Sequence, residues 1–303
     1  MSQRQGRDPM GEVRGVKKRA LIVNADGYGF TYGNNEGIRM CLRAGFVKSV
    51  SINANFPASE EAALLRDWPG VSAGIHFNLS VGRPVSRPER IPHLVDGGGS
   101  FLGRDLARKL VLGRIPEDEI RTELRAQAAL LADAGVRLSH WDGHQNKHLI
   151  PQFFNAACSV ASEFGIRCLR STRRFLFDSR HGSAMRRGVH LASHPWRAAK
   201  YMTASVLGRR ARRRGFLSAD RLLCPGILDG AWKDESSFWV GLLHQLPDGV
   251  NEIYCHPGIP DETLRQHSTY VDGRRRELEA LTRQDLVTAA ETAGVSIISF
   301  WEI

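Results

Sequence analysis

Four polar clusters in the chain each follow an apolar run of strand length. Residues 24–29 read Asn24-Ala25-Asp26-Gly27-Tyr28-Gly29 after Leu21-Ile22-Val23. His76-Phe77-Asn78-Leu79 follows residues 71–75. His140-Trp141-Asp142-Gly143-His144 follows residues 136–139, and Cys255-His256-Pro257-Gly258 follows residues 252–254. Together they supply carboxylates and imidazoles, the groups that hold a divalent metal and move protons. One fold gathers such groups without effort: in α/β proteins the ligand site lies beyond the carboxyl ends of the parallel strands.

Each cluster also has a plainer reading. Asp26 precedes two glycines that let a chain turn sharply under a ligand, yet a turn aspartate often caps the next helix. His76 and Asn78 share one strand face at period two. His144 and His148 share a helical face if their segment is helical, and either offers a ligand nitrogen. His256 is held by the bend of Pro257-Gly258, while nothing marks Cys255 as activated. Arg170 closes the run 166–169 and has the fork to orient a carboxylate. The case rests on the repeated placement at strand ends, not on one residue.

The elements that must position these groups alternate. Strands are expected at 19–25, 47–53, 71–76, 136–141, 166–169, 252–255 and 295–300. Helices are expected near 35–43, 59–66, 117–134, 151–165, 236–245, 274–281 and 283–293, several opened by Pro or closed by Gly. Residues 81–101 are rich in Pro and Gly and read as a long loop able to wall a substrate site. Residues 172–223 break the rhythm as an Arg-rich helical insert with a helix at 196–213. No repeat of fixed period is present. The expected fold class is α/β, an irregular TIM-like (β/α) barrel, as a single domain over 19–303 after a disordered basic tail at 1–18.

Composition narrows the classes further. The 303 residues are 42% hydrophobic and 24% charged, with a formal net charge of +10. No apolar run reaches membrane-spanning length, and the N-terminus has no apolar core of a secretory signal. Five scattered cysteines without a CxxC pair argue against a disulfide framework and for a reducing, cytoplasmic setting. Much of the positive charge lies in the insert, where residues 196–214 mix aromatic and apolar side chains with Arg and Lys. That pattern suits peripheral contact with anionic lipid; the plainer reading is a solvated helix on the barrel. A nucleic-acid partner has only charge in its favour, since no recognition motif is present. The oligomeric state is not legible.

The motifs 24–29, Asn35-Glu36-Gly37-Ile38, 74–79, Gly82-Arg83-Pro84, 142–148 and 255–258 resemble the YdjC-like carbohydrate deacetylases, from residue 19 to the C-terminus apart from the insert. The resemblance implies a barrel like that of polysaccharide deacetylases and one divalent metal, Mg²⁺ or Zn²⁺. It implies hydrolysis of an N-acetyl group from an amino sugar, free or lipid-linked. His76 and His144 match the metal histidines. Asp26 matches the general base, with a possible second role on the metal, and His256 matches the general acid. Arg170 would orient Asp26; Asn78, Tyr28, Asp142 and His148 would contact substrate. The chain departs from the family at three points. The family's second Asp, a metal ligand, is Gly27; the next His after His144 is Asn146; the Ser before it is Gly143. Three outcomes stay open. Asp26 moves onto the metal, water or Asp142 fills the vacancy, or the chain is a catalytically weakened or inactive sugar-binding homologue.

Overall fold

The structure, a computed structural model, describes residues 19–176, 184–225 and 235–303. The tail expected at 1–18 lies outside the described residues. In chain order the regular elements begin with strand β1 (Arg19–Tyr28), helix α1 (Tyr32–Ala44), β2 (Ser49–Ile52) and β3 (Ser72–Phe77). Next come α2 (Asp105–Val111), α3 (Glu117–Asp133), β4 (Leu138–Gly143), α4 (Pro151–Glu163) and β5 (Cys168–Leu169). Then follow β6 (Arg174–Leu176), α5 (Ala184–Ser193), α6 (Pro195–Arg213), β7 (Arg221–Cys224), α7 (Glu235–His244) and β8 (Gly249–Cys255). The chain closes with α8 (Glu262–His267), α9 (Asp272–Leu281), α10 (Asp285–Thr292) and β9 (Ser296–Ile298).

The strands form one parallel sheet in the order β5-β4-β3-β2-β1-β8-β7-β6, with β9 added alongside β1. It is a curled half-barrel with helices around it, the irregular barrel expected from the alternation. Strands buried on both faces must be apolar along their length, and β1 is buried from Ala20 to Tyr28. Trp141, Phe46, Phe77, Phe153 and Phe154 fill the space between sheet and helices. Because all strands run the same way, Asp26, His76, Asp142 and Cys255 arrive at the same edge. Register fixes this: Asp26 stands beside Ser51, His76 beside Asp142, and Ala25 beside Cys255.

Four segments differ from the sequence expectation. Residues 172–223 do hold helices α5 and α6, but they also supply β6 and β7, so the segment is part of the barrel wall. Helix α6 buries Ala204, Leu207 and Ala211 and leaves Trp196 and Met202 exposed. The helix expected at 59–66 is a 3-10 stretch, Pro57–Leu65. Asn35 Nδ2 donates to the Ala58 carbonyl at 2.9 Å and Tyr28 Oη to the Glu61 carbonyl at 3.1 Å, which takes those acceptors from a regular helical ladder. The third is the loop 81–101, which is stapled to α3 by two buried glutamates. Glu123 accepts from the Val85 and Ser86 amides, and Glu119 from the His93 amide. The fourth is residues 144–149, a short 3-10 run broken by two residues in the left-handed region.

All five cysteines are buried free thiols. No helix among the described residues is long and apolar enough to cross a membrane.

Candidate active site

At the carboxyl edge of the sheet lies a cavity of about 540 Å³, walled by Asp26, Gly27, His76, His144, Arg170, Tyr254, His256, Arg274 and neighbours. Its first wall is the end of β1. Gly27 has φ 102°, a region that a β-carbon makes costly, and the register with β2 slips between Asp26 and Tyr28. The slip turns Asp26 toward the cavity. Two residues on, a β-carbon at Gly29 (φ 80°) would collide with the Asn53 carbonyl.

Asp26 is gripped by Arg170, which follows β5. Arg170 Nη1 donates to Asp26 Oδ2 at 2.8 Å and Nη2 to Oδ1 at 2.5 Å. The same guanidinium reaches Asp142 Oδ2 at 2.5 Å and donates through Nε to Glu252 Oε1 at 3.0 Å. One buried arginine therefore organises three buried carboxylates. Burial alone would raise the pKa of Asp26, but the Arg170 charge outweighs it and holds the group below the usual value. Asp142 is held well below the carboxylate range in the same way, with His76 adding to Arg170. For Glu252 the desolvation wins and pushes it up to about 7.

His76 Nδ1 donates to Asp142 Oδ1 at 2.6 Å. Since Asp142 is ionised, the proton of that bond sits on Nδ1, which leaves Nε2 as the ring's other nitrogen. A carboxylate behind an imidazole is the arrangement that orients metal-binding histidines. Burial pulls the pKa of His76 down, but Asp142 more than compensates and the net shift is upward. His144 stands 5.5 Å from His76 between ring centroids and has no hydrogen-bond partner among the described residues. Burial drives its pKa down to about 3, so it is neutral with a free lone pair. It is presented by Gln145 and Asn146, both near φ 55°, a conformation pinned by the Arg174 Nη2 bond to Asn146 Oδ1 at 2.6 Å. Opposite them, His256 Nε2 lies 4.0 Å from Asp26 Oδ2, and burial lowers the histidine to about 4.

The sequence candidates thus divide into two sets. Asp26, His76, His144, Arg170 and His256 face the cavity. Asp142 does not line it; fully buried, it holds His76 and Arg170 from behind. Asn78 caps the turn at Ser80 and Val81, His148 packs edge-on to Trp141 and lies near the Gly143 carbonyl, and Tyr28 is anchored to Glu61 and Arg39. None of these three reaches the wall. Sequence reading passed over Glu252 and Arg274, and a lone charge in a strand or at a helix start gives no signal of such a role. The loop 81–101 borders a neighbouring hollow, with Arg83, Val85 and Ser100, rather than this cavity.

One donor group stands out as metal-ready. Ligand atoms of Asp26, His76 and Asp142 lie within 4.8 Å of one another. Asp142 does not line the cavity, whereas Asp26 does, although Arg170 bonds the oxygens of both, so Asp142 fits behind the ligands rather than among them. His76 Nε2, the unpartnered His144 and Asp26 Oδ2 are the donors facing the cavity, and two neutral imidazoles with a carboxylate suit a divalent cation.

A curled parallel half-barrel with carboxylates and imidazoles at its carboxyl edge defines a class of α/β proteins with a hydrolase-like centre. The profile of the YdjC-like proteins matches residues 20–292, and the chain belongs to that family. Among its relatives, the chitooligosaccharide deacetylase of Escherichia fergusonii is 30% identical over 295 residues, covering 94% of this chain and all of that protein. The carbohydrate deacetylase of Geobacillus stearothermophilus is 30% identical over 94% of this chain and 98% of its own. A crystal structure from Enterococcus faecalis V583, of a protein proposed to cleave cellobiose phosphate, superposes with a TM-score of 0.70. It is 23% identical and covers 94% of this chain and 98% of that one; that likeness speaks for the fold.

Proposed function

We propose that this chain is a metal-dependent carbohydrate deacetylase that hydrolyses the N-acetyl group of an amino sugar and releases acetate. The observation that carries the reading is the pairing of Asp26, fixed by Arg170, with His256 at 4.0 Å across a cavity that also holds His76 and His144. The names of the full-length relatives support the same chemistry.

His76, His144 and Asp26 would hold the metal, which when bound supplies Lewis acidity for the acetamide carbonyl and an acidified water. The chain's own groups do the rest. Asp26 is ionised at neutral pH and takes the proton of the attacking water. Arg170 keeps the carboxylate aimed, because two of its nitrogens bind both Asp26 oxygens. His256 is neutral at rest, so it must gain a proton before it can give one. Asp26 is its neighbour at 4.0 Å, a gap that one water spans, and the proton taken by Asp26 would reach His256 Nε2 through that water. His256 then protonates the departing nitrogen, a step required because an amide nitrogen leaves poorly without it. Asp142 holds the His76 ring through Nδ1 throughout.

A second reading has one observation in its favour: Gly27 offers no carboxylate where the resemblance expects a ligand. In that case the chain binds sugars and turns them over weakly or not at all. Acetate release by the Asp26→Asn and His256→Ala variants, against wild type loaded with Zn²⁺ or Mg²⁺, tests the assignment. Loss of turnover in both supports it, and full turnover in both overturns it.

A further inference from the structure

The chain's positive charge is concentrated on one pair of helices. Residues 184–214, which include α5 and α6, hold nine Arg and Lys and no Asp or Glu, so this stretch supplies nearly all of the net charge of +10. Helices that face only water mix the two signs and pair them at i, i+4; within this stretch no such pair can form. Helix α6 is also two-sided. Ala204, Leu207, Gly208 and Ala211 are buried, and the fit to the barrel is tight, since a β-carbon on Gly208 would run into Thr172 Oγ1. On the opposite side Met202, Val206, Arg209 and Arg213 follow at intervals of four, three and four, a single stripe of helical period. All four are exposed, Met202 by 70%. At the amino end of α6 Trp196 is 63% exposed, with the Arg197 guanidinium 5.2 Å over its ring, and Val189 on α5 is exposed as well.

Apolar side chains and a row of arginines on one face suit one kind of surface. Lipid phosphates answer guanidinium groups, and the boundary between headgroups and acyl chains takes tryptophan and methionine. A nucleic acid would answer the charge and leave Met202 and Val206 in water. A second copy of the chain would set like charge against like charge. We propose that the outer face of α6, with Trp196 and Val189 at its amino end, docks the protein on an anionic lipid bilayer. The helix lies flat there: Arg209 and Arg213 bind headgroup phosphates, while Trp196, Met202 and Val206 enter the boundary layer. The docked helix borders the cavity. Tyr201 of α6 packs on the same apolar cluster as Tyr254, and Arg174 lies over the Tyr201 ring while bonding Asn146; Tyr254 and Asn146 line the cavity. Docking therefore holds the cavity close to the membrane surface. This surface does not depend on the deacetylase reading, and either can fail alone.

The test is co-sedimentation of the full chain with vesicles of phosphatidylcholine alone and of phosphatidylcholine mixed with phosphatidylglycerol, at low and high salt. At least tenfold tighter binding to the anionic vesicles is expected, weakened by salt. The double variant Arg209→Glu with Arg213→Glu is expected to lose tenfold or more, and Trp196→Ser with Met202→Ser several-fold. All four positions are exposed, so thermal unfolding should match wild type. Brominated acyl chains should quench tryptophan emission in wild type and less in Trp196→Phe, which keeps the apolar contact. No binding to anionic vesicles at low salt overturns the proposal, and so does vesicle binding that neither double variant changes. Duplex DNA of random sequence is titrated in parallel. DNA binding that the double charge reversal abolishes, with no quenching by brominated lipid, assigns the face to nucleic acid and overturns the membrane surface. A dimer in solution that the same variants split assigns it to a second copy, with the same consequence.

Discussion

Two buried arginines face the same cavity under opposite circumstances. Arg170 meets three carboxylates and uses Nε and both terminal nitrogens on them. Arg274 meets none at Nη1, which is buried beside Gly27 where a β-carbon would lie 3.3 Å away. The first arrangement is a finished structure: its charge is met by carboxylates, its three nitrogens are all engaged, and its work is to hold Asp26 still. The second leaves one nitrogen unpartnered, and its charge is answered by Glu277 and Asp26 without a bond at that nitrogen. Burial lowers the pKa of Arg274, while the carboxylates around Arg170 raise that group well above the ordinary value.

Removing each arginine should therefore have opposite effects. Arg170→Met leaves Asp26, Asp142 and Glu252 packed together without a cation, and breaking such a cluster costs about 3–5 kcal/mol. Urea unfolding is expected to show that loss, with acetate release gone as well; a variant as stable as wild type would remove Arg170 from the centre of the account. Asp26→Asn keeps the shape and deletes the base. Turnover is expected to fall by about two to four orders of magnitude, with a single cooperative unfolding transition retained.

Acid should destabilise the fold through its buried histidines. Burial lowers His140 and His148 to about 3 in the fold, against roughly 6.5 unfolded. Between those values the unfolded chain binds more protons, so stability falls as pH drops from about 6.5. The loss reaches up to about 2 kcal/mol per histidine at pH 5. His76 runs the other way, because its raised pKa gives a contribution present below about 6.5 and lost as pH rises through the folded value. His144 and His256, lowered to about 3 and about 4, act with His140 and His148, while Glu252, raised to about 7, acts with His76. Four groups against two leave a net loss, which thermal unfolding from pH 7 to 5 will detect; a flat profile would contradict it. The smallest effect belongs to Arg274. Arg274→Met removes a buried charge with one unpartnered nitrogen, offset in part by Glu277, at the cost of one bond to the Tyr270 carbonyl, and stability is expected to hold or to rise by about 1 kcal/mol. A drop of several kcal/mol would mean that Arg274 is as fully partnered as Arg170.

What could be read from the sequence follows from the range over which each signal acts. Helix α3 is bounded by Pro116 and Gly135 and carries a clear apolar stripe, so its limits were legible to within a residue or two. The strand-end motifs placed Asp26, His76, His144 and His256 because polar residues right after apolar runs mark the sheet's edge. The barrel strands β6 and β7 were hidden. They are three and four residues long, lie among arginines and are recognisable only by their neighbours in the sheet. Tyr28, Asn78 and His148 carry the same polar atoms as cavity residues, and only the three-dimensional packing spends those atoms on loops and core. The Gly27–Arg274 encounter joins residues on opposite sides of the chain's length, which no local spacing reveals.

The most direct test of the central claim is acetate release from purified protein supplied with neutral and acidic N-acetylated sugars, with Zn²⁺, with Mg²⁺ and with EDTA. The account predicts metal-dependent acetate release that EDTA stops and that Asp26→Asn does not show. No release from any sugar with either metal, or release that Asp26→Asn retains in full, would contradict it.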